Sequence, residues 1–147
     1  MSELPHVFAL VIGRESGHLT VLSNTLETLG CTVFRARGVE DWVVPLIRRV
    51  PVYLVFLDVE AESGTYAGLL AGLGAEGRAT KVVVTSRLGL MSDYLEAMQL
   101  GAYDFLCPPM DERDLIRLIN NSQPSPSYAA TSAQPNPKPA AFLHARR

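Results

Sequence analysis

The 147 residues make about one domain, with room for an appended segment. Hydrophobic residues are 48% and charged residues 19%, the balance of a globular chain that can bury a sizeable core. A net charge of −2 excludes a bulk electrostatic grip on nucleic acid; no apolar run approaches the about 18 residues of a membrane span, and no signal-type core follows a charged segment.

The charge is uneven. Residues 1–121 hold ten Lys and Arg against fifteen Asp and Glu, whereas Lys138, Arg146 and Arg147 make the end positive. Cys31 and Cys107 lack metal-like spacing. That spacing leaves a disulfide open, but buried free thiols in a reducing cytoplasm are the expectation.

In chain order, His6 to Ile12 (HVFALVI) is a continuous apolar run, the mark of a central parallel strand. Leu19, Leu22, Leu26 and Leu29 then recur at helical spacing, and Gly30 supplies a stop. Cys31 to Ala36 reads as a second strand. A second helix from about Val39 to Arg49 is expected to bury Trp42, Leu46 and Ile47, with Pro45 limiting its first turn.

Tyr53-Leu54-Val55-Phe56-Leu57-Asp58 is a third strand, buried on both faces and ending in a lone carboxylate. The acidic segment after it reads as a loop, and Tyr66, Leu69, Leu70 and Leu73 mark a third helix weakened by glycines. Lys81 to Thr85 (KVVVT) is a fourth strand. Met91, Tyr94, Leu95 and Met98 give the apolar face of a fourth helix that Gly101 closes. Asp104 to Cys107 is a fifth strand, stopped by Pro108-Pro109. A fifth helix from about Asp111 to Asn120 starts with acids, which suit its dipole, and buries Leu115, Ile116, Leu118 and Ile119.

Strands alternating with helices predict an α/β fold: a doubly wound five-stranded parallel sheet of flavodoxin-like order 2-1-3-4-5. Right-handed crossovers then place the first and third strands side by side, so that Gly13-Arg14-Glu15 and Asp58 face one another. Residues 1–121 form this domain. Residues 122–147 hold five of the ten prolines and read as a disordered tail whose end, Ala140 to Arg147, is expected to be solvated.

Three segments resemble bacterial response-regulator receiver domains. Tyr53 to Val59 is similar to the phospho-acceptor strand of that family, and Thr85-Ser86 stands where it keeps a switch hydroxyl and a small residue. Glu96-Ala97-Met98-Gln99-Leu100-Gly101-Ala102-Tyr103-Asp104-Phe105-Leu106 resembles its fourth helix and fifth strand. The resemblance covers residues 6–121. It implies that Asp58 is the phosphoryl-acceptor position, that Thr85 bonds the phosphoryl group and that Phe105 is the aromatic that changes rotamer on activation.

The departures are chemical. The family ends its first strand with two acids that hold Mg²⁺; Gly13 and Arg14 stand there, with Glu15 one place on. Pro108 replaces a lysine, Pro109 matches the proline after it, Met110 replaces an aromatic, and Glu62 replaces a proline. Phosphoryl transfer relies on positioning and on charge neutralisation by a metal and cationic side chains. Mg²⁺ wants carboxylate oxygens, and only Glu15 and Asp58 remain to hold it. An inward Arg14 repels such an ion by roughly 4 kcal/mol per unit charge at an effective dielectric near 20. No Mg²⁺ or other cofactor is therefore expected.

A carboxylate at a buried strand end needs a partner, and Arg14 is the nearest cation by topology. Either Arg14 pairs with Asp58, or Arg14 faces solvent and Asp58 caps the following loop. His6 and His18 read as isolated structural or surface residues. Gly13 to His18 lacks the lysine and spacing of a phosphate-binding P-loop.

The leading expectation is a stand-alone, degenerate receiver, not an enzyme, acting as a phosphorylation-independent protein-interaction module in two-component signalling. It contacts a histidine kinase or a downstream effector in the cytoplasm, with no direct nucleic-acid or membrane partner. The docking face, which would also pair a homodimer, is made by the fourth helix, fifth strand and fifth helix, with Arg87, Met91, Tyr94, Tyr103, Arg113 and Arg117. The alternatives are a receiver that accepts a phosphoryl group on Asp58 and a small-ligand or flavin binder on the same fold. The first loop's lack of a hydroxyl-rich cradle disfavours the last.

Overall fold

A computed structural model describes residues 4–61, 68–69 and 80–122. Its elements are β1 (Phe8–Ile12), α1 (Gly17–Thr28), β2 (Thr32–Ala36), α2 (Val43–Arg49), β3 (Val52–Asp58), β4 (Lys81–Thr85), α3 (Met91–Gln99), β5 (Asp104–Leu106) and α4 (Glu112–Asn120). All pairings are parallel and the sheet order is β2-β1-β3-β4-β5, as the alternating pattern predicts. Of the third expected helix only Gly68 and Leu69 are described; they are helical and Leu69 is fully buried. The proline-rich segment beyond Ser122 and Glu62 lie outside the described residues.

Strand residues alternate between two cores because successive side chains point to opposite faces. Ala9, Val11, Leu54, Phe56, Val83 and Leu106 pack with Leu19, Leu22 and Leu26 of α1 and with Leu115, Leu118 and Ile119 of α4. Leu10, Ile12, Val55, Leu57, Val82 and Val84 face Val43 and Ile47 of α2 and Tyr94 and Ala97 of α3. Both faces of β1, β3 and β4 are covered, which is why these strands read as unbroken apolar runs.

The helix ends follow local chemistry. Ser16 caps α1 and Asp111 caps α4, each accepting a backbone N–H through its side chain. Gly30 and Gly101 end α1 and α3 at φ of 101° and 97°, a left-handed region that costs a glycine little.

Several expectations need correction. Helix α2 begins at Val43 rather than Val39, and Trp42 stays 41% exposed, its indole N–H donating to Glu40. In α3 the inward stripe is Tyr94 and Ala97; Met91 and Leu95, four apart on a neighbouring stripe, face out at 64% and 51% exposure. Tyr94 is thus core rather than docking surface. Ile116 is only half-buried. Cys31 is buried, but Cys107 is exposed at the end of β5.

Burial pushes the Cys31 thiol up to about 11 from 9.0. A group whose pKa is raised by folding stabilises the native state below its unfolded pKa, and that contribution is lost as pH rises through the folded value. The stability advantage of the wild type over Cys31→Ala is expected to shrink by about 2–3 kcal/mol between pH 9 and 11, as chemical denaturation will measure. Maleimide at neutral pH is expected to label Cys107 alone in the folded chain and both thiols under denaturant.

Candidate functional site

Asp58 ends β3 with 3% exposure, and its neighbour in register is Thr85, at the end of β4 and fully buried. The pairing of these strands puts a carboxylate beside a hydroxyl, and the Thr85 hydroxyl donates to Asp58 Oδ1 at 2.7 Å. The Glu60 backbone N–H donates to Oδ2 at 3.0 Å, so the carboxylate also caps the loop that follows it.

A third donor comes from α1. His18 Nε2 lies 3.0 Å from Asp58 Oδ1, with the imidazole 8% exposed. A carboxylate only accepts, so Nε2 carries the proton. The Ser16 Oγ lies 3.1 Å from Nδ1 and also accepts the Leu19 N–H at 3.4 Å. One hydroxyl therefore caps the helix and orients the ring.

From the sequence His18 reads as an isolated structural or surface residue, but the structure sets it against Asp58, forty positions away. Histidine in the first turn of a helix carries no motif. The available signal was Ser16. A hydroxyl N-cap there starts α1 at Gly17, and the β1–α1 connection opens at the crevice where Asp58 stands.

Of the two alternatives for Asp58, the geometry matches the cap on the following loop: Arg14 is exposed, and among the described residues Thr85, Glu60 and His18 donate to the carboxylate. Glu15 is exposed too, and among the described residues no three His, Cys, Asp or Glu side chains are grouped to hold a metal. Gly13 adds a steric reason: a Cβ on it would meet Leu19 Cδ1 at 2.5 Å and Asp58 Cβ at 2.9 Å. The residues present do not fit a Mg²⁺ ion.

On the far side of Thr85, the Ser86 hydroxyl donates to Asp93 and accepts the Gly89 N–H, bracing the connection into α3. Phe105 is 4% exposed and meets Tyr94 edge-on, with ring centroids 5.7 Å apart. The Pro108–Pro109 bond is cis.

No protein-family model matches the chain. The acid tolerance regulatory protein ActR of Rhizobium meliloti is 23% identical over 115 residues, 78% of this chain and 59% of that protein. A response-regulator receiver domain protein from Clostridium thermocellum superposes with a TM-score of 0.65 at 23% identity, over 79% of this chain and 93% of that one. The receiver domain of the sensor histidine kinase PA1611 from Pseudomonas aeruginosa, with magnesium in its cleft, gives 0.67 at 18% identity, over 80% and 98%.

The chain has the fold of a response-regulator receiver domain.

Within that fold this chain brings His18 and Thr85 together on Asp58. It spans about 59% of the length of the curated relatives it matches. No described helix is long and apolar enough to cross a membrane.

Losing the Thr85 hydroxyl leaves a buried carboxylate short of a donor, and hydrogen bonds to charged groups contribute about 1.5–3 kcal/mol. Thr85→Val is expected to destabilise the fold by about that much in urea titration, while Thr85→Ser stays within about 1 kcal/mol of the wild type.

Proposed function

We propose that this chain is the receiver module of a two-component signalling protein and acts by binding partner proteins, without phosphotransfer to Asp58 as its switch. The observation that carries this reading is the carboxylate itself. Three internal donors already hold it, one of them an imidazole from the start of α1, just after the positions where the family keeps its metal-holding acids. Pro108 in place of a lysine supports the same reading, because no cation is left there to meet a phosphoryl oxygen. The chain is then a binding module rather than an enzyme, working in the cytoplasm with a histidine kinase or an effector.

The partner surface is the face of α3, β5 and α4. Leu88, Leu90, Met91 and Leu95, in α3 and the segment leading into it, are exposed at 62%, 49%, 64% and 51%, beside the exposed Arg87. Apolar groups exposed side by side favour a protein contact. Pairing of two copies through the same face is expected to show as concentration-dependent sedimentation that Met91→Glu abolishes.

The retained Asp58–Thr85 pair favours one second reading, a receiver that still accepts a phosphoryl group. Incubation with a small acyl phosphate and Mg²⁺ followed by intact-mass measurement separates the two. The expected spectrum shows no added phosphoryl group. A clear single addition that disappears in Asp58→Ala overturns the partner-only reading.

A further inference from the structure

The fold implies a divalent cation held between acids at the end of β1 and the carboxylate at the end of β3, and the residues of this chain do not fit one. Gly13 stands at the first acid's position with no room for any side chain. Arg14 at the second is exposed. The space is taken instead by α1. With no side chain on Gly13, Leu19 and Asp58 close over its backbone, and a Cβ there would be 2.5 Å and 2.9 Å from their nearest atoms. His18 adjoins Leu19 in the same first turn, so this close approach carries the imidazole to the carboxylate.

We infer that His18 is the built-in replacement for the cation: a positioning residue that holds Asp58 from the metal's side and covers Oδ1. Gly13 admits it and Ser16 aims it. The Ser16 hydroxyl joins the Leu19 N–H and His18 Nδ1, so the start of α1 and the orientation of the ring are one device. The carboxylate accepts from the Nε2–H, which leaves Nδ1 facing the Ser16 hydroxyl. Oδ1 accepts from both His18 and Thr85, and Oδ2 accepts from Glu60. Of the roughly four lone-pair positions on a carboxylate, about one is left. The inference rests on the reading of Asp58 as a carboxylate no longer used for phosphotransfer, and it names the residue responsible.

The test uses the full chain and Mn²⁺ as the probe, because paramagnetic broadening of the Glu60 and Ser86 amide signals reports an ion at Asp58 without any reaction. His18→Asp puts a second carboxylate opposite Asp58, and the shorter side chain leaves the gap that a divalent ion bridges. Wild type is expected to bind Mn²⁺ at least tenfold more weakly than His18→Asp. His18→Gln, which keeps an N–H donor, is expected to stay at the wild-type level, and circular dichroism checks that both variants are folded. Long-range ¹H–¹⁵N spectra of the wild type are expected to show a proton on His18 Nε2 that loses its protection in Gly13→Ala, where Leu19 and Asp58 must shift. Equal Mn²⁺ affinity of wild type and His18→Asp overturns the inference, as does a wild-type ring protonated on Nδ1 alone. Neither outcome touches the partner-only reading, which is lost only if the wild type accepts a phosphoryl group.

Discussion

A carboxylate buried at the end of a strand has to be given donors, and the upper edge of this sheet is arranged around that need. An uncompensated ionised group in an apolar interior costs far more than a small domain's whole margin of stability. Asp58 meets the requirement from three directions: along its own chain through Glu60, across the sheet through Thr85, and from the helix layer through His18. Each contact ties a different connection to β3. The same carboxylate therefore organises the loop after β3, the end of β4 and the first turn of α1.

Magnesium lies in the cleft of the PA1611 receiver domain, and a cation of that kind is an exchangeable partner. An imidazole attached to α1 is not. It cannot leave with solvent, and its orientation depends on the cap that starts the helix. At Gly13 the backbone at the end of β1 lies so close to Asp58 and Leu19 that a Cβ would be 2.9 Å and 2.5 Å from their nearest atoms. Thr85 and Phe105 are both buried: Thr85 is turned to Asp58, and Phe105 packs edge-on against Tyr94.

Where the chain could be read in advance, the period of the apolar residues carried the information. FALVI, VYLVFLD and KVVVT are buried on both faces and alternate with helical stretches, which restricts the sheet to very few orders. Surface choices were less legible. Met91, Leu95 and Trp42 look like core by composition, yet only Tyr94 and Ala97 of α3 point inward, and Trp42 stops short of its helix. Hydrophobicity at helical spacing defines a stripe, but a stripe wider than the available sheet leaves some of its residues in solvent.

For the site, sequence alone placed Asp58 at the end of a buried strand beside Thr85, because apolar period and strand order decide that, while the missing acid pair followed only from the family resemblance. Which side chain would reach Asp58 was not determined. Arg14 has the charge and the nearer position in the topology, but it leaves β1 pointing out to solvent. His18 reaches Asp58 because Gly13 lets α1 settle close and Ser16 turns the ring. That outcome depends on a helix-to-sheet distance, which is set by packing across the whole layer and appears only in the tertiary structure.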